Sequence, residues 1–278
     1  MKKVLVTGAG GFVGARIMEQ WRGRYELLRL PSGFFARTGE AELCAQVEVL
    51  APDISLHAAA LSDTGFCETH PEESFRANVE LPLWLARAAL RVGAKLICFS
   101  SDQVYTGIRQ PGPLPEALPL EPANIYGRHK LEAEQRVLAF LPEAVFLRAT
   151  WMYDLPGYGL PIRGNLPLNI LQAALHGRPL AFSEKDFRGV TYVRQAIEQL
   201  ALTLDLPGGV YNFGSENPLD MAATARIFAR ALEVPLVLVP LDRQRNLAMD
   251  CSLLRKKGIS FDTTAEGICR CLRDYGLR

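Results

Sequence analysis

The sequence carries no excess of charge of either sign. Its 31 basic and 30 acidic residues give a formal net charge of +1 over 278 residues. A protein that binds nucleic acid without reading its sequence must neutralise many phosphates, and it needs a basic surface to do so. We therefore expect no nucleic-acid partner for this chain.

Long apolar runs are also missing. No uninterrupted hydrophobic stretch approaches the ~18 residues that a membrane-spanning helix requires. The N-terminus, Met1-Lys2-Lys3, leads directly into a short strand-like run and shows no secretory cleavage pattern. We expect no membrane partner and a cytoplasmic location.

The sequence has no paired cysteine motif and few lysines. The six cysteines are scattered, and the closest pair, Cys269 and Cys271, is too tight for the usual C-x-x-C metal or redox site. We expect reduced thiols and no bound metal. The basic residues comprise 7 lysines and 24 arginines, and planar guanidinium groups are well suited to phosphate ligands.

The regular pattern in the first 150 residues is an alternation of short apolar runs with longer amphipathic ones. Residues 3–7, 54–58 and 95–100 are typical of buried strands, and residues 72–92 are typical of a helix. Such alternation predicts βαβ units and an α/β fold with a doubly wound parallel sheet.

The composition changes near residue 150. We therefore predict one domain over residues 1–150 and a smaller α/β C-terminal layer over residues 151–278, mainly for binding substrate, with some segments returning to the first domain. Five prolines in residues 107–122 predict an irregular surface loop. Residues 154–167 are again rich in glycine and proline.

A glycine loop lies between the first predicted strand and the first predicted helix. The spacing of Gly8, Gly11 and Gly14 allows a tight turn, a close approach of backbone to a pyrophosphate, and close packing of helix on sheet. In this strand-loop-helix context, the motif predicts a Rossmann-type dinucleotide site that includes Phe12 and Val13.

The end of the second predicted strand bears on the choice of cofactor. An NAD site favours a carboxylate there to bind the adenosine 2′-hydroxyl, whereas this strand ends in Arg29. Arg29, with Arg37 nearby, could meet a 2′-phosphate instead. We expect NADP as cofactor and leave NAD open.

A tyrosine and a lysine stand four residues apart at the start of a predicted helix. This spacing places Tyr126 and Lys130 on one helical face. A nearby ammonium, together with the positive nicotinamide of an oxidised cofactor, favours the phenolate and lowers the tyrosine pKa, which suits proton exchange with a carbonyl or hydroxyl. Ser100, Ser101 and Asp102 close a predicted strand, where open α/β sheets bind their ligands.

Further motifs follow one another in order along the chain. They are Pro52-Asp53, His57 to Ala60, Asn78, Ser100 to Gly107, Asn124 to Lys130, Leu147 to Tyr153, Gly209 to Asn212, and Arg243 to Asn246. With the glycine loop, they resemble the extended short-chain dehydrogenase/reductases of the epimerase/dehydratase superfamily, and within them the dTDP-4-dehydrorhamnose reductase group. The resemblance covers nearly the whole chain.

The resemblance implies roles for individual residues. Ser101 would hold the substrate carbonyl, Tyr126 would protonate it, and Lys130 would complete the catalytic set, with Asp102 as a further candidate. The implied cofactor-binding residues are Gly8, Gly11, Phe12, Val13, Gly14, Arg29, Ala58, Ala59, Ala60, Asn78, Ser100, Tyr126 and Lys130. The implied substrate-binding residues are Ser101, Gln103, Thr150, Trp151, Arg188, Arg243 and Arg245.

The implied activity is an NAD(P)H-dependent reduction of a nucleotide-sugar carbonyl. Gln103 and Gln244 depart from the family pattern, which usually has an aromatic residue and a proline there, so the sugar is left open. One alternative is an epimerase or dehydratase of the same superfamily. Another is a non-catalytic NADP-binding regulatory subunit resembling the methionine adenosyltransferase beta subunit. A homodimer is expected by analogy with the superfamily.

Overall fold

The centre of the fold is an open sheet of six parallel strands. The structure, a computed structural model, describes residues 1–277. The strands, in chain order, are β1 (Lys3–Thr7), β2 (Glu26–Arg29), β3 (Ile54–His57), β4 (Lys95–Ser101), β5 (Val145–Ala149), β6 (Trp151–Tyr153), β7 (Leu180–Phe182), β8 (Asp186–Arg188), β9 (Val190–Tyr192), β10 (Gly209–Phe213), β11 (Leu238–Pro240) and β12 (Arg245–Leu247).

Helices connect the strands of this sheet and extend beyond it. In chain order they are α1 (Phe12–Gln20), α2 (Phe34–Arg37), α3 (Glu40–Leu50), α4 (Thr64–Thr69), α5 (Pro71–Phe75), α6 (Leu81–Val92), α7 (Ile125–Phe140), α8 (Leu166–Leu175), α9 (Val193–Leu200), α10 (Met221–Ala231), α11 (Ser252–Arg255) and α12 (Thr264–Asp274).

The order of the strands across the central sheet is β10, β5, β4, β3, β1, β2. The sheet is covered on both faces, as its apolar strands require. Ile17 of α1 and Val193 of α9 pack on one face, while Leu43 of α3, Leu85 of α6 and Val137 of α7 pack on the other. The doubly wound parallel sheet expected from the sequence is confirmed.

A second layer covers the carboxyl ends of the strands. Helices α8, α10 and α12 share a core around Tyr153, Ile170, Phe228 and Ile268. Three short parallel pairs belong to the same part of the chain: β6 with β9, β7 with β11 and β8 with β12. The chain crosses between layers, because β10 pairs with β5 in the central sheet. The domain boundary at residue 150 stays a prediction.

The helix expected over residues 72–92 is interrupted. Residues Arg76–Glu80 form a π-helical segment between α5 and α6, and the Leu81 N–H bonds the Arg76 carbonyl rather than following the α-helical pattern. Pro82 lacks an N–H and cannot donate to the Asn78 carbonyl one turn earlier. This missing bond favours the local change to π-helical geometry.

The loop expected over residues 107–122 is irregular apart from one point of attachment. Leu114 forms an isolated parallel bridge with Met249, and its N–H donates to the Ala248 carbonyl at 2.7 Å.

Within residues 1–277, no helix is long and apolar enough to cross a membrane.

A buried ion pair joins the first helix to the second layer. Arg16 and Asp154 are 1% and 0% exposed, and Arg16 Nε lies 2.6 Å from Asp154 Oδ2. Arg16 also donates to the carbonyls of Phe12 and Pro161 at 2.7 and 2.9 Å, and Tyr275 donates to Asp154 at 2.9 Å. The pair therefore ties the glycine loop to the layer above it.

We predict that Arg16→Met lowers the free energy of unfolding by about 3 to 5 kcal/mol, because it leaves the Asp154 carboxylate buried without its cation. Urea denaturation followed by circular dichroism measures the loss. Arg91→Met removes an exposed ion pair with Glu48 and is expected to leave the midpoint unchanged. Equal stability of Arg16→Met and the wild type would contradict the importance of the buried pair.

Candidate active site

The carboxyl ends of β1, β3, β4 and β5 open into a cleft of about 850 Å³. This edge is where open parallel sheets bind their ligands, since the loops after the strands converge there. One wall comes from the glycine loop and the turn after β3, and the other from β6, β8 and residues 161–164.

The glycine loop forms the turn that its spacing predicts. Gly8 has a φ of +67°, which favours glycine, and the Gly11 N–H closes the turn on the Gly8 carbonyl at 2.8 Å. A Cβ on Gly14 would collide with the Gly8 carbonyl, so Gly14 lets α1 begin close to the sheet. The free N–H groups of the first turn of α1 point to a site for an anion.

Tyr126 lies in the first turn of α7, beside the end of β4. Asn124 caps this helix by accepting from the Gly127 N–H at 2.7 Å. One turn further, the Lys130 ammonium lies 5.8 Å from the centre of the Tyr126 ring and donates to the Phe99 carbonyl at 3.1 Å. Both side chains are buried, at 6% and 3% exposure.

Burial sets the protonation of this pair. It raises the pKa of Tyr126, an effect that the Ser101 hydroxyl opposes and the Asp102 carboxylate reinforces. It also lowers the pKa of Lys130 to about 8, while Cys98 and Glu134 oppose the change. The expected lowering of the Tyr126 pKa is therefore not produced by the protein's own groups, because desolvation of the phenolate outweighs the nearby charge. Tyr126 holds its proton at neutral pH, as a proton donor must.

A buried network supports the strand end beneath the cleft. Ser100 Oγ donates to Glu134 at 2.5 Å, and Arg148 Nη2 donates to the same carboxylate at 2.7 Å. Arg148 also donates to the Tyr105 hydroxyl at 2.9 Å, which in turn donates to Asn212 Oδ1 at 2.8 Å. The Ser100 hydroxyl is thus held by Glu134, at a residue that also lines the cleft.

The opposite wall of the cleft is formed by ion pairs. The buried Asp102 carboxylate accepts from Arg188 Nε and Nη2 at 3.2 and 2.6 Å, and the Arg188 guanidinium lies 5.3 Å from the centre of the Trp151 ring. Arg245 forms a two-bond contact with Asp186 at 2.9 and 2.7 Å. Asp102 therefore orients the wall of the pocket as well as standing beside Ser101.

Most of the residues predicted from the sequence meet in this one cleft. Those that line it are Gly8, Gly11, Phe12, Val13, Ala58, Ala59, Ala60, Ser100, Ser101, Asp102, Gln103, Tyr126, Lys130, Thr150, Trp151, Arg188 and Arg245. Their roles in binding and catalysis stay predictions.

Four predicted residues lie outside the lining. Gly14 packs on Gly8 as described above. Arg29 is exposed at the end of β2 and lines a shallow groove beside α1. Asn78 is fully buried and donates to the Leu61 carbonyl at 2.9 Å, so it supports the turn after β3 from behind. Arg243 lies in the loop before β12, where its carbonyl accepts from Ser183.

Sequence reasoning missed the part of the cleft formed by residues 161–164 and by Ser62 to Thr64. Arg163 donates to Ser62 Oγ at 2.8 Å across the cleft mouth. The richness in glycine and proline around residue 160 indicates a loop after a strand, and such loops often carry site residues. The pairing with Ser62, 101 residues away, leaves no local pattern.

A second cavity of about 1270 Å³ adjoins the cleft. Arg245 lines both spaces, and Arg109, Phe187, Asn217 and Met249 line the second one.

Among residues 1–277, no group of three His, Cys, Asp or Glu side chains is arranged to hold a metal ion.

An open parallel sheet with a glycine loop after β1, a serine at the end of β4 and a tyrosine-lysine pair on the next helix defines an extended short-chain dehydrogenase/reductase architecture. Within that class, the chain belongs to the RmlD substrate binding domain family, which matches residues 1–274.

Known proteins similar to this chain agree with that assignment. A dTDP-4-dehydrorhamnose reductase of Mycobacterium tuberculosis is 34% identical over 156 residues, which are 55% of this chain and 51% of the relative. Methionine adenosyltransferase 2 subunit beta of Xenopus laevis is 31% identical over 167 residues, 55% of this chain and 47% of that protein. The matches thus span about half the length of these curated relatives.

The fold is also that of a solved structure. The dTDP-4-dehydrorhamnose reductase from Bacillus anthracis, in complex with NADP, superposes with a TM-score of 0.87 at 21% identity and covers 98% of each chain. At this identity, the similarity establishes the fold.

We predict that raising the pH stabilises the wild type relative to Lys130→Met. Folded Lys130 has a pKa of about 8, below its usual 10.5, so between these values the unfolded chain binds the extra proton and stability rises with pH. The gain is about 3 kcal/mol across that window. Denaturation at pH 7 and pH 10 measures it. Lys185→Met, at an exposed position, controls for losing a lysine, and a difference that stays constant with pH would contradict the prediction.

Proposed function

We propose that this protein is an NAD(P)H-dependent reductase that converts the 4-keto group of a nucleotide-linked sugar to an alcohol. The observation that carries the proposal is the meeting of Ser101, Tyr126 and Lys130 with the glycine loop in one cleft. The family and the dTDP-4-dehydrorhamnose reductases among the similar proteins support it.

The residues present fit a dinucleotide. A Cβ on Gly8 would lie 2.8 Å from the Ala59 N atom and would fill the space between the glycine loop and the turn after β3. The bound cofactor supplies a hydride. Gly11, Phe12 and Val13 would hold its diphosphate, and Lys130 would reach its nicotinamide ribose. Arg29 at the end of β2 favours NADP over NAD, as does the NADP in the Bacillus anthracis structure.

Ser101 and Tyr126 would act on the substrate carbonyl. The Ser101 hydroxyl donates to Asp102 at 3.3 Å in this structure, a long bond that it can exchange for one to a carbonyl oxygen. Tyr126 keeps its proton because of its burial, and it can deliver that proton to the oxygen as negative charge develops there. Both groups then stabilise the developing alkoxide, which is where preorganised donors contribute most.

The nucleoside diphosphate would extend away from Tyr126 across the opposite wall. Trp151 and Arg188 form that wall, and Arg245 stands between the cleft and the second cavity. Arg245 uses Nε and Nη2 to bind Asp186, and its remaining N–H donors can bind a diphosphate oxygen while the nucleoside occupies the larger space. This arrangement supports a nucleotide sugar as substrate, while Gln103 in the pocket leaves the choice of sugar open.

We also propose a homodimer and a cytoplasmic location. The first rests on analogy within the superfamily, and the second on the scattered cysteines, which are unpaired in this structure. Gel filtration with light scattering tests the dimer, and localisation of a tagged chain tests the compartment.

The activity is tested with NADPH and a panel of dTDP-, GDP- and UDP-linked 4-keto sugars. We predict that Tyr126→Phe lowers the turnover number by about 10²- to 10⁴-fold because it removes the proton donor, while the dissociation constant of NADPH stays within about twofold. Absorbance at the NADPH band follows turnover. Tyr158→Phe, at an exposed tyrosine, is the matched control and is expected to keep full activity.

Other outcomes separate the alternatives. Wild-type protein that binds NADPH but oxidises it with no substrate of the panel would contradict the reductase and favour the regulatory subunit. Formation of a C4 epimer or of water-eliminated product without net cofactor oxidation would instead identify an epimerase or a dehydratase.

A further inference from the structure

One cleft-lining arginine differs from the others in its partners. Arg188 is held by Asp102 at 2.6 Å and Arg245 by Asp186 at 2.7 Å. Among the described residues 1–277, Arg163 is the only cleft arginine with no carboxylate partner within ion-pair distance. Its charge is therefore available to an anionic ligand.

Arg163 reaches from the second layer to the glycine loop. Its Nη1 donates to Ser62 Oγ at 2.8 Å, and its Cζ lies 5.3 Å from the centre of the Phe12 ring. Arg16 contacts the same ring, with its Cζ 4.1 Å from the ring centre. The charge of Arg16 is taken up by Asp154, so Arg163 supplies the free positive charge at this point.

The present partners of Arg163 can be exchanged for a ligand. A guanidinium has five N–H donors, and Ser62, an uncharged hydroxyl, uses one of them. The neighbouring carboxylate of Asp63 is engaged elsewhere, because its Oδ1 accepts from the Phe66 N–H at 2.9 Å and caps α4. Phosphate oxygens are stronger acceptors for a guanidinium than a neutral hydroxyl is.

An anion bound at the glycine loop would be faced by Arg163 as well as by the loop. The first-turn N–H groups of α1 favour negative charge at the helix N-terminus, and Phe12, which begins that helix, is the residue on which the guanidinium rests. A diphosphate bound at the loop would thus lie between backbone N–H groups and a side chain from the other layer.

We propose that Arg163 binds the diphosphate of the dinucleotide cofactor, so that the second layer contributes a phosphate-binding residue to a site otherwise built by the glycine loop. The inference rests on the proposed function, since it requires a dinucleotide in the cleft. A nucleotide-sugar substrate carries a diphosphate too, but contact with Phe12 assigns Arg163 to the cofactor.

The test compares Arg163→Gln with wild type in titrations with NADPH alone, followed by calorimetry at low salt. We expect the dissociation constant to rise about tenfold, because a charge-assisted hydrogen bond is lost. Arg163→Lys, which keeps the charge without the planar fork, is expected to give an intermediate value. Arg178→Gln, at an exposed arginine of the same layer, is the matched control and is expected to bind as wild type does.

Two further arms identify the diphosphate and exclude a purely structural role. Titration with dTDP tests the substrate side, and Arg163→Gln is expected to leave dTDP binding unchanged. Ser62→Ala breaks the contact across the cleft mouth but leaves the guanidinium, and NADPH binding is expected to stay within about twofold of wild type. Arg163 is exposed, so the melting temperatures of all variants should match.

The outcomes distinguish the two proposals. Equal NADPH affinity of wild type and Arg163→Gln would overturn this inference and leave the proposed function intact. Weaker binding of dTDP alone would assign Arg163 to the substrate, and equal losses in Ser62→Ala and Arg163→Gln would show that the contact between layers is what matters. Wild type that binds neither NADPH nor NADH would overturn both proposals.

Discussion

Arginine-carboxylate pairs fix the positions of the residues at the carboxyl edge of the sheet. The pairs are Arg16 with Asp154, Arg148 with Glu134, Arg188 with Asp102, and Arg245 with Asp186. A parallel sheet brings polar loop residues to one edge, and the second layer then removes them from water. Charges in such a place must be paired, because an uncompensated buried charge costs several kcal/mol. The excess of arginine in a nearly neutral chain has this structural use as well as any use in binding phosphate.

Gln103 shows how this edge fixes the reacting groups relative to each other. It follows Ser101 in a short 3-10 turn, and its side-chain oxygen accepts from Asn124 at 3.0 Å. Asn124 also caps the helix that carries Tyr126. The serine and the tyrosine are thus linked through two amide side chains, and the geometry between them does not depend on a ligand. Gln103, which differs from the usual family pattern, therefore helps to position the residues of the site.

The sequence predicts those features that have a local pattern. Alternating apolar runs indicated the parallel sheet, and the spacing of Gly8, Gly11 and Gly14 indicated the turn at the end of β1. The pattern of apolar residues predicts the first helix over residues 14–21, whereas α1 begins at Phe12, because Gly11 caps it with extended backbone rather than with a polar side chain. Arg163 and the raised pKa of Tyr126 could not be found this way, since contacts between distant segments and the degree of burial arise only on folding.

The attachment of the proline-rich segment affects the order in which parts of the protein fold. This segment connects β4, which ends in Ser101, to α7, which carries Tyr126. Leu114 at its middle is held by backbone bonds to Ala248 and Asp250, 2.7 and 3.0 Å long. Contacts of such sequence separation require closure of a long loop and form late. The strands up to β5 can therefore pair before residues 248–250 close over the proline-rich segment, whereas the Gln103–Asn124 contact that links the serine to the tyrosine spans only 21 residues and does not wait for that closure.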